Sequence, residues 1–154
     1  MFLCVFMLIF AQDAPVQEDA IKVVIQAFHQ AASKADRASY FAMLSEDAVF
    51  LGTDGSERWT KTEFEATYGD YMDSGKGWTF VPQEQFITIA PGGKIAWFDE
   101  ALSSEHYGPC RGSGVLVKQG ERWLIAQYNL SVPMPNDLAK AFVAIIGAAE
   151  KRTH

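Results

Sequence analysis

Two oppositely charged residues, Asp99 and Arg111, stand in neighbouring stretches that alternate between apolar and polar residues. Burial of an aspartate in an apolar pocket raises its pKa, so that the carboxylate can remove a proton from a substrate. A nearby arginine could stabilise the anion that forms, or hold a substrate carboxylate. The same two residues could instead form a structural salt bridge that closes one end of a sheet. The pair is therefore our first candidate for catalysis.

Neutral polar residues also occupy every second position in the stretches that contain Asp99 and Arg111 or follow them. Ser113, Gln127 and Asn129 recur on the same parity as Arg111, and Trp97 has the parity of Asp99. Their side chains could bond a ligand carbonyl or satisfy each other. The hydroxyls of Tyr40 and Tyr68 are further candidates for the pocket, the alternative being that both are core aromatics. We expect these six residues to line a ligand pocket.

Other residue types give weaker indications of chemistry. Ser113 has no histidine and acid at the spacing of a nucleophilic triad, and we expect no metal, since no histidine pair has ligand spacing. His29 and His106 are predicted to be rim or surface histidines. Glu100 is predicted to point away from Asp99, towards solvent or a second subunit. Cys110 is interpreted as a small residue at a strand start rather than a reactive thiol.

Length and charge limit the possible classes of protein. The 154 residues, 49% hydrophobic and 21% charged, are typical of one globular domain. A net charge of −6 argues against nucleic acid and anionic membrane surfaces as partners, because both are negatively charged.

The chain begins with ten apolar residues, MFLCVFMLIF, followed by polar AQDAPVQED. A run of this length suits the apolar region of a signal peptide and is too short to span a bilayer. We therefore predict that residues 1–14 are a signal peptide or an unstructured segment, and that the mature protein is periplasmic or secreted. The alternative is an N-terminal strand or helix extension of a cytoplasmic protein.

Apolar residues at helical spacing predict helices over residues 15–34, 36–44, 60–73 and 138–151. The third begins with a capping box, in which Thr60 and Glu63 satisfy each other's backbone N–H groups. Apolar Leu138, Phe142 and Ile145 lie on one side of the last helix.

Strands are predicted over residues 48–52, 78–90, 94–103, 110–118 and 122–132. A three-residue hairpin loop, with Gly120 left-handed, would pair Arg111 with Gln127 and Val115 with Trp123. Paired residues share a face, so this register gathers the polar candidates on one face, apolar towards Gly120 and polar at the other end.

The stretches SEDAVFLGTDGSERWTKTEF, IAWFDEAL, RGSGVLV and WLIAQYNLSVPMPND, with this order of elements, carry a likeness that covers about residues 20–140. The chain resembles the SnoaL-like branch of the nuclear transport factor 2-like superfamily. The resemblance implies a single α+β domain over residues 15–154. In this fold a cone-shaped, strongly curved antiparallel sheet wraps around three N-terminal helices, and a C-terminal helix follows. It also implies an apolar pocket at one end and a homodimer formed through the outer sheet face.

The resemblance does not select an activity, because no catalytic set of the superfamily matches this chain by motif. One hypothesis is an exported domain that binds a small organic molecule without chemistry. The other is a cofactor-free isomerase, cyclase or hydrolase with Asp99 as general base and Arg111 or a tyrosine stabilising the anion. Neither hypothesis calls for a cofactor, and the sequence leaves open whether the protein is an enzyme.

Overall fold

The computed structural model describes residues 14–150. The predicted signal peptide lies almost wholly outside this range and stays a prediction. Among the described helices, none is long and apolar enough to cross a membrane.

The N-terminal half supplies three helices, each close to its predicted place. They are α1 (Ala14–Ser33), α2 (Arg37–Ala42) and α3 (Lys61–Asp73). The side chain of Asp36 caps α2 by accepting the backbone N–H of Ser39 at 3.0 Å. The predicted capping box at Thr60 and Glu63 is confirmed.

The described residues also form a curved sheet of six strands, which packs against the helical layer. The strands are β1 (Leu44–Leu51), β2 (Arg58–Thr60), β3 (Val81–Ile89), β4 (Ile95–Ser104), β5 (Gly108–Gln119) and β6 (Arg122–Ser131). Their order is β2-β1-β6-β5-β4-β3, and only β1 and β6 pair in parallel. The predicted α+β cone is confirmed, with the short β2 as an addition.

The inner face of the sheet meets the helices, and the outer face does not. Along β4, Ala96, Phe98, Glu100 and Leu102 are buried, whereas the residues between them are exposed. Helix α1 contacts β3 and β6, and its buried Ile21, Ile25 and Phe28 belong to the same core.

The hairpin between β5 and β6 differs from the prediction. Gln119 pairs with Arg122, so the loop contains only Gly120 and Glu121, and Gly120 has a φ of +61°. Val115 pairs with Gln127 but Leu116 pairs with Ile125, which leaves Ala126 as a bulge. Because of this extra residue, Trp123 and Ile125 face inward, whereas Gln127 and Asn129 face outward.

The C-terminal segment contains a short 3-10 helix, Asn136–Leu138, and α4 (Ala139–Glu150). Its apolar stripe is exposed, and Phe142 and Ile145 remain 43% and 63% accessible. Burial of a helix stripe depends on a facing surface, which the residue spacing does not specify.

Candidate functional site

The residues predicted to line the pocket mostly lie on the outer face of the sheet. Asp99 and Arg111 are exposed, Trp97 is 47% exposed, and Ser113, Gln127 and Asn129 are half-buried. The polar candidates share one face as predicted, since Asp99 pairs with Ser113, Ser113 with Asn129 and Trp97 with Val115, but Trp123 and Ile125, predicted on the same face, lie on the other. The predicted inward orientation of the polar candidates is wrong. Asp99 and Arg111 are both described, and no ion pair joins them.

The error has a physical reason. Alternation separates two faces of a strand but does not say which of them meets the helices. The outer face carries Trp97 and Val115 beside its polar groups, and the inner face includes Glu100 and two glycines, so neither face is purely apolar. A catalytic role for Asp99 and Arg111 stays a prediction.

Aromatic side chains enclose a cleft at one end of the inner face. Its volume is about 150 Å³, and Tyr68, Trp59 and the stacked pair Phe50 and Phe64, with centroids 4.2 Å apart, form much of its wall. Exposed Tyr107 lies on its rim. The full lining is Phe50, Gly52, Thr53, Glu57, Trp59, Phe64, Tyr68, Trp78, Phe80, Tyr107 and Leu130. An engineered cavity of the same size, about 150 Å³, binds benzene.

A second, much smaller void of about 10 Å³ adjoins this cleft and shares Phe50, Trp78, Phe80 and Leu130 with it. The void is also lined by Tyr40, which is fully buried and stacks on Phe28 at 4.4 Å. The hydroxyl of Tyr40 is enclosed and has no hydrogen-bond partner in the described part of the chain. A buried hydroxyl without a partner is costly, and such groups in native proteins call for an explanation.

Behind this void lies a buried hydrogen-bonded cluster centred on Glu100, which is 1% exposed. Oε1 of Glu100 lies 2.7 Å from Nε2 of His29 and accepts the hydroxyl of Tyr128 at 3.0 Å. Oε2 accepts the side-chain amide of Gln85 at 2.7 Å. The carboxylate is thus held by donors from α1, β3 and β6. The predictions that Glu100 meets solvent or a partner subunit and that His29 is a rim residue are both wrong.

Burial also sets the protonation of the tyrosines in this region. Desolvation raises the pKa of Tyr40 well above its usual value, and desolvation and the adjacent Glu100 charge do the same for Tyr128. Both side chains are therefore hydrogen-bond donors at neutral pH. Burial raises the pKa of the Cys110 thiol too, which disfavours the reactive thiolate.

Gly112 makes room for the cluster. A Cβ on this residue would overlap the hydroxyl of Tyr128 and lie 2.6 Å from Oε1 of Glu100. We predict that Gly112→Ala lowers the free energy of unfolding by about 1–3 kcal/mol through overpacking, measured by urea denaturation. Gly55→Ala is the control, because a Cβ there meets nothing within 4 Å. Equal stabilities of the two variants would contradict the prediction.

One signal in the sequence could have identified the cluster. Glu100 has the parity of Phe98 and Leu102, and an acid in phase with apolar residues is a candidate for paired burial. His29 directly follows Phe28 of the apolar stripe, but the sequence does not place it opposite a strand 71 residues away. Among the described residues, no group of three or more His, Cys, Asp or Glu is arranged to hold a metal.

Comparisons with known proteins agree with this architecture. The family model described as "SnoaL-like domain" matches residues 21–135. A search of curated proteins found no match. An NTF2-like protein of unknown function from Pseudomonas putida KT2440 has a similar structure, with a TM-score of 0.64 and 16% identity over 82% of this chain and 92% of that one.

Two other solved structures show the same fold. A candidate dehydratase of the NTF2-like family from Streptomyces avermitilis has a TM-score of 0.66 and 11% identity over 79% of this chain and 100% of its own. An NTF2-like protein from Cytophaga hutchinsonii has a TM-score of 0.63 and 19% identity over 76% and 98%. These TM-scores establish the shared fold, and identities this low do not transfer an activity to this chain.

Proposed function

This chain belongs to the SnoaL-like domain family, and we propose that it binds a small, largely apolar organic molecule inside its cone. The aromatic cleft carries the proposal. Its walls are mainly aromatic and its volume of about 150 Å³ suits a benzene-sized ring. Few polar groups reach the cleft, so apolar contact supplies most of the affinity.

The buried hydroxyl of Tyr40 supports a more specific ligand class. Tyr40 lines the void that shares four residues with the cleft, and its hydroxyl has no partner among the described residues. A small movement of Trp78 or Phe80, which stand in both linings, would join the two cavities. The preferred ligand then carries an aromatic or alicyclic ring and one oxygen that accepts a hydrogen bond from Tyr40.

Acetophenone and ethylbenzene test this proposal as a matched pair, because they differ by a carbonyl in place of a methylene. Binding is measured by tryptophan fluorescence and by the rise in melting temperature that any native-state ligand produces. Trp59→Ala should weaken binding of both compounds, since Trp59 lines the cleft. Trp97→Ala is the matched control on the outer face. If neither compound binds, or if only Trp97→Ala weakens binding, the inner-cleft proposal is wrong.

Tyr40→Phe gives a separate prediction. Removing the unpartnered hydroxyl should leave the protein as stable as wild type or about 1 kcal/mol more stable, because an unsatisfied buried group is lost. The same change should abolish a preference for acetophenone over ethylbenzene of about fivefold, the value of one net hydrogen bond. Urea denaturation and binding titrations measure the two effects. A variant that keeps the preference would exclude Tyr40 as the polar anchor.

We also propose that two copies associate through the outer sheet face. Phe86, Ile95 and Trp97 are all about half exposed or more on neighbouring strands of that face. Apolar groups of this size in one area are typical of an interface between proteins. Sedimentation should detect a dimer that a Phe86→Glu, Trp97→Asp double variant dissociates. A monomeric wild type at high concentration would contradict this assembly.

A further inference from the structure

A groove separate from the aromatic cleft runs between α1 and residues 79–82. Its volume is about 300 Å³, and its lining combines the polar Gln26, Gln30, Ser33 and Thr79 with the apolar Phe80, Val81 and Pro82. No Asp, Glu, Lys or Arg belongs to the described lining. His29 and Phe80 line both this groove and the small interior void. The groove therefore gives small, neutral molecules access to one side of a histidine whose other side is in the core.

The two nitrogens of His29 have different surroundings. Nε2 lies 2.7 Å from Oε1 of Glu100, and we assign the proton of the neutral ring to Nε2 because an ionised carboxylate only accepts hydrogen bonds. Nδ1 then carries the free lone pair. Within residues 14–150, Nδ1 has no hydrogen-bond partner, and it is not among the fully enclosed polar atoms without one.

This arrangement has the elements of an activated base. A buried carboxylate that accepts one imidazole N–H fixes the tautomer, orients the ring and stabilises the imidazolium that forms when the other nitrogen takes a proton. Glu100 is itself held by Tyr128 and Gln85, at 3.0 and 2.7 Å.

We propose that the groove is a second site, in which His29 acts as general base on small neutral esters and Glu100 is the residue that positions it. Nδ1 takes a proton from water as the water oxygen bonds to the ester carbonyl carbon. When the carbon–alkoxide bond breaks, the proton passes from Nδ1 to the departing alcohol. Water and ester are consumed, acid and alcohol form, and His29 returns to its neutral state.

Hydrolysis of p-nitrophenyl acetate tests the assignment. We expect the protein to accelerate release of p-nitrophenolate, His29→Gln to abolish the acceleration, and Glu100→Gln to lower it by about 100-fold, the lower end of the range for general base catalysis. Glu84→Gln is the control, since Glu84 is an exposed carboxylate beside Gln85 on β3. Wild-type rates in His29→Gln would overturn the proposal, as would the absence of any acceleration.

Modification of histidines by diethyl pyrocarbonate provides a second test, which uses the wild-type protein and does not depend on the folding of a variant. The neutral imidazole nitrogen bonds to a carbonyl carbon of the reagent, and the ethyl carbonate released decomposes to ethanol and carbon dioxide. Peptide mass spectrometry then compares His29 with the exposed His106 of the same molecule. Modification of buried His29 at least as fast as His106 supports an activated Nδ1. Modification more than tenfold slower shows a structural pair and overturns the proposal.

Discussion

Replacing Glu100 with alanine is expected to lower the free energy of unfolding by about 3–5 kcal/mol, since each buried donor left without its acceptor costs about 1–3 kcal/mol. Three donors lose their acceptor, namely His29 Nε2, the Tyr128 hydroxyl and the Gln85 amide. His29 and Tyr128 are only 7% and 2% exposed, so their donors cannot turn to bulk water without disturbing the core. Urea denaturation, analysed with a common slope, measures the change.

Asp99→Ala is the matched control for this prediction. Asp99 is the neighbouring acid on β4, but its side chain is on the exposed outer face. Surface replacements away from special features change stability by about 0.5 kcal/mol or less. If Glu100→Ala cost no more than Asp99→Ala, the buried cluster would not exist in solution.

The contrast between these two acids shows what the sequence could predict. The sequence was sufficient to predict the cone-shaped fold, from the order of helices and strands, the capping box and the family likeness. These signals are readable because periodicity and turn residues act locally. Which face of each strand is buried depends on contacts with distant parts of the chain, which local sequence patterns do not specify. A tripeptide such as Phe98-Asp99-Glu100 places one acid on each face, and only the packing of α1 on the inner face, against β3 and β6, selects Glu100 for burial.

The bulge at Ala126 explains why Gln127 and Asn129 were wrongly predicted to share a face with Ile125. Period-two counting from Trp123 gives Gln127 and Asn129 the same face as Ile125. The register shift between Val115 and Leu116 reverses this phase, so that Tyr128 and Leu130 point inward instead. Tyr128 thereby reaches Glu100. A bulge of one residue has no strong signature in a single sequence, although it changes every contact beyond it.

Phe80 connects the proposed ligand cleft with the proposed base. It lines the cleft, the interior void and the groove beside His29. The preceding loop is fixed to α1, where the backbone N–H of Trp78 donates to the carbonyl of Ala32 at 3.3 Å. The aromatic ligand and the ester would therefore both lie against Phe80, and a ligand that displaces Phe80 would alter the groove.

Phe64→Ala should be comparably destabilising, by about 3–5 kcal/mol, as is usual when a buried phenylalanine is truncated. Phe64 is 3% exposed, stacks on Phe50 and packs against the ring of Tyr68 at a centroid distance of 4.9 Å. Because Phe64 also lines the cleft, its removal extends the cleft into the core. We expect the lost stability in urea denaturation, with Phe142→Ala on the exposed stripe of α4 as the control.

Ligand rescue separates a widened cleft from simple loss of packing. Toluene can fill the space left by the Phe64 ring, so it should stabilise Phe64→Ala more than it stabilises wild type. At a concentration about 100 times its dissociation constant, a native-state ligand contributes about 2.7 kcal/mol, enough to restore much of the loss. If toluene raised the stability of neither protein, the aromatic cleft would be closed to ligands in solution, whatever the cost of the substitution.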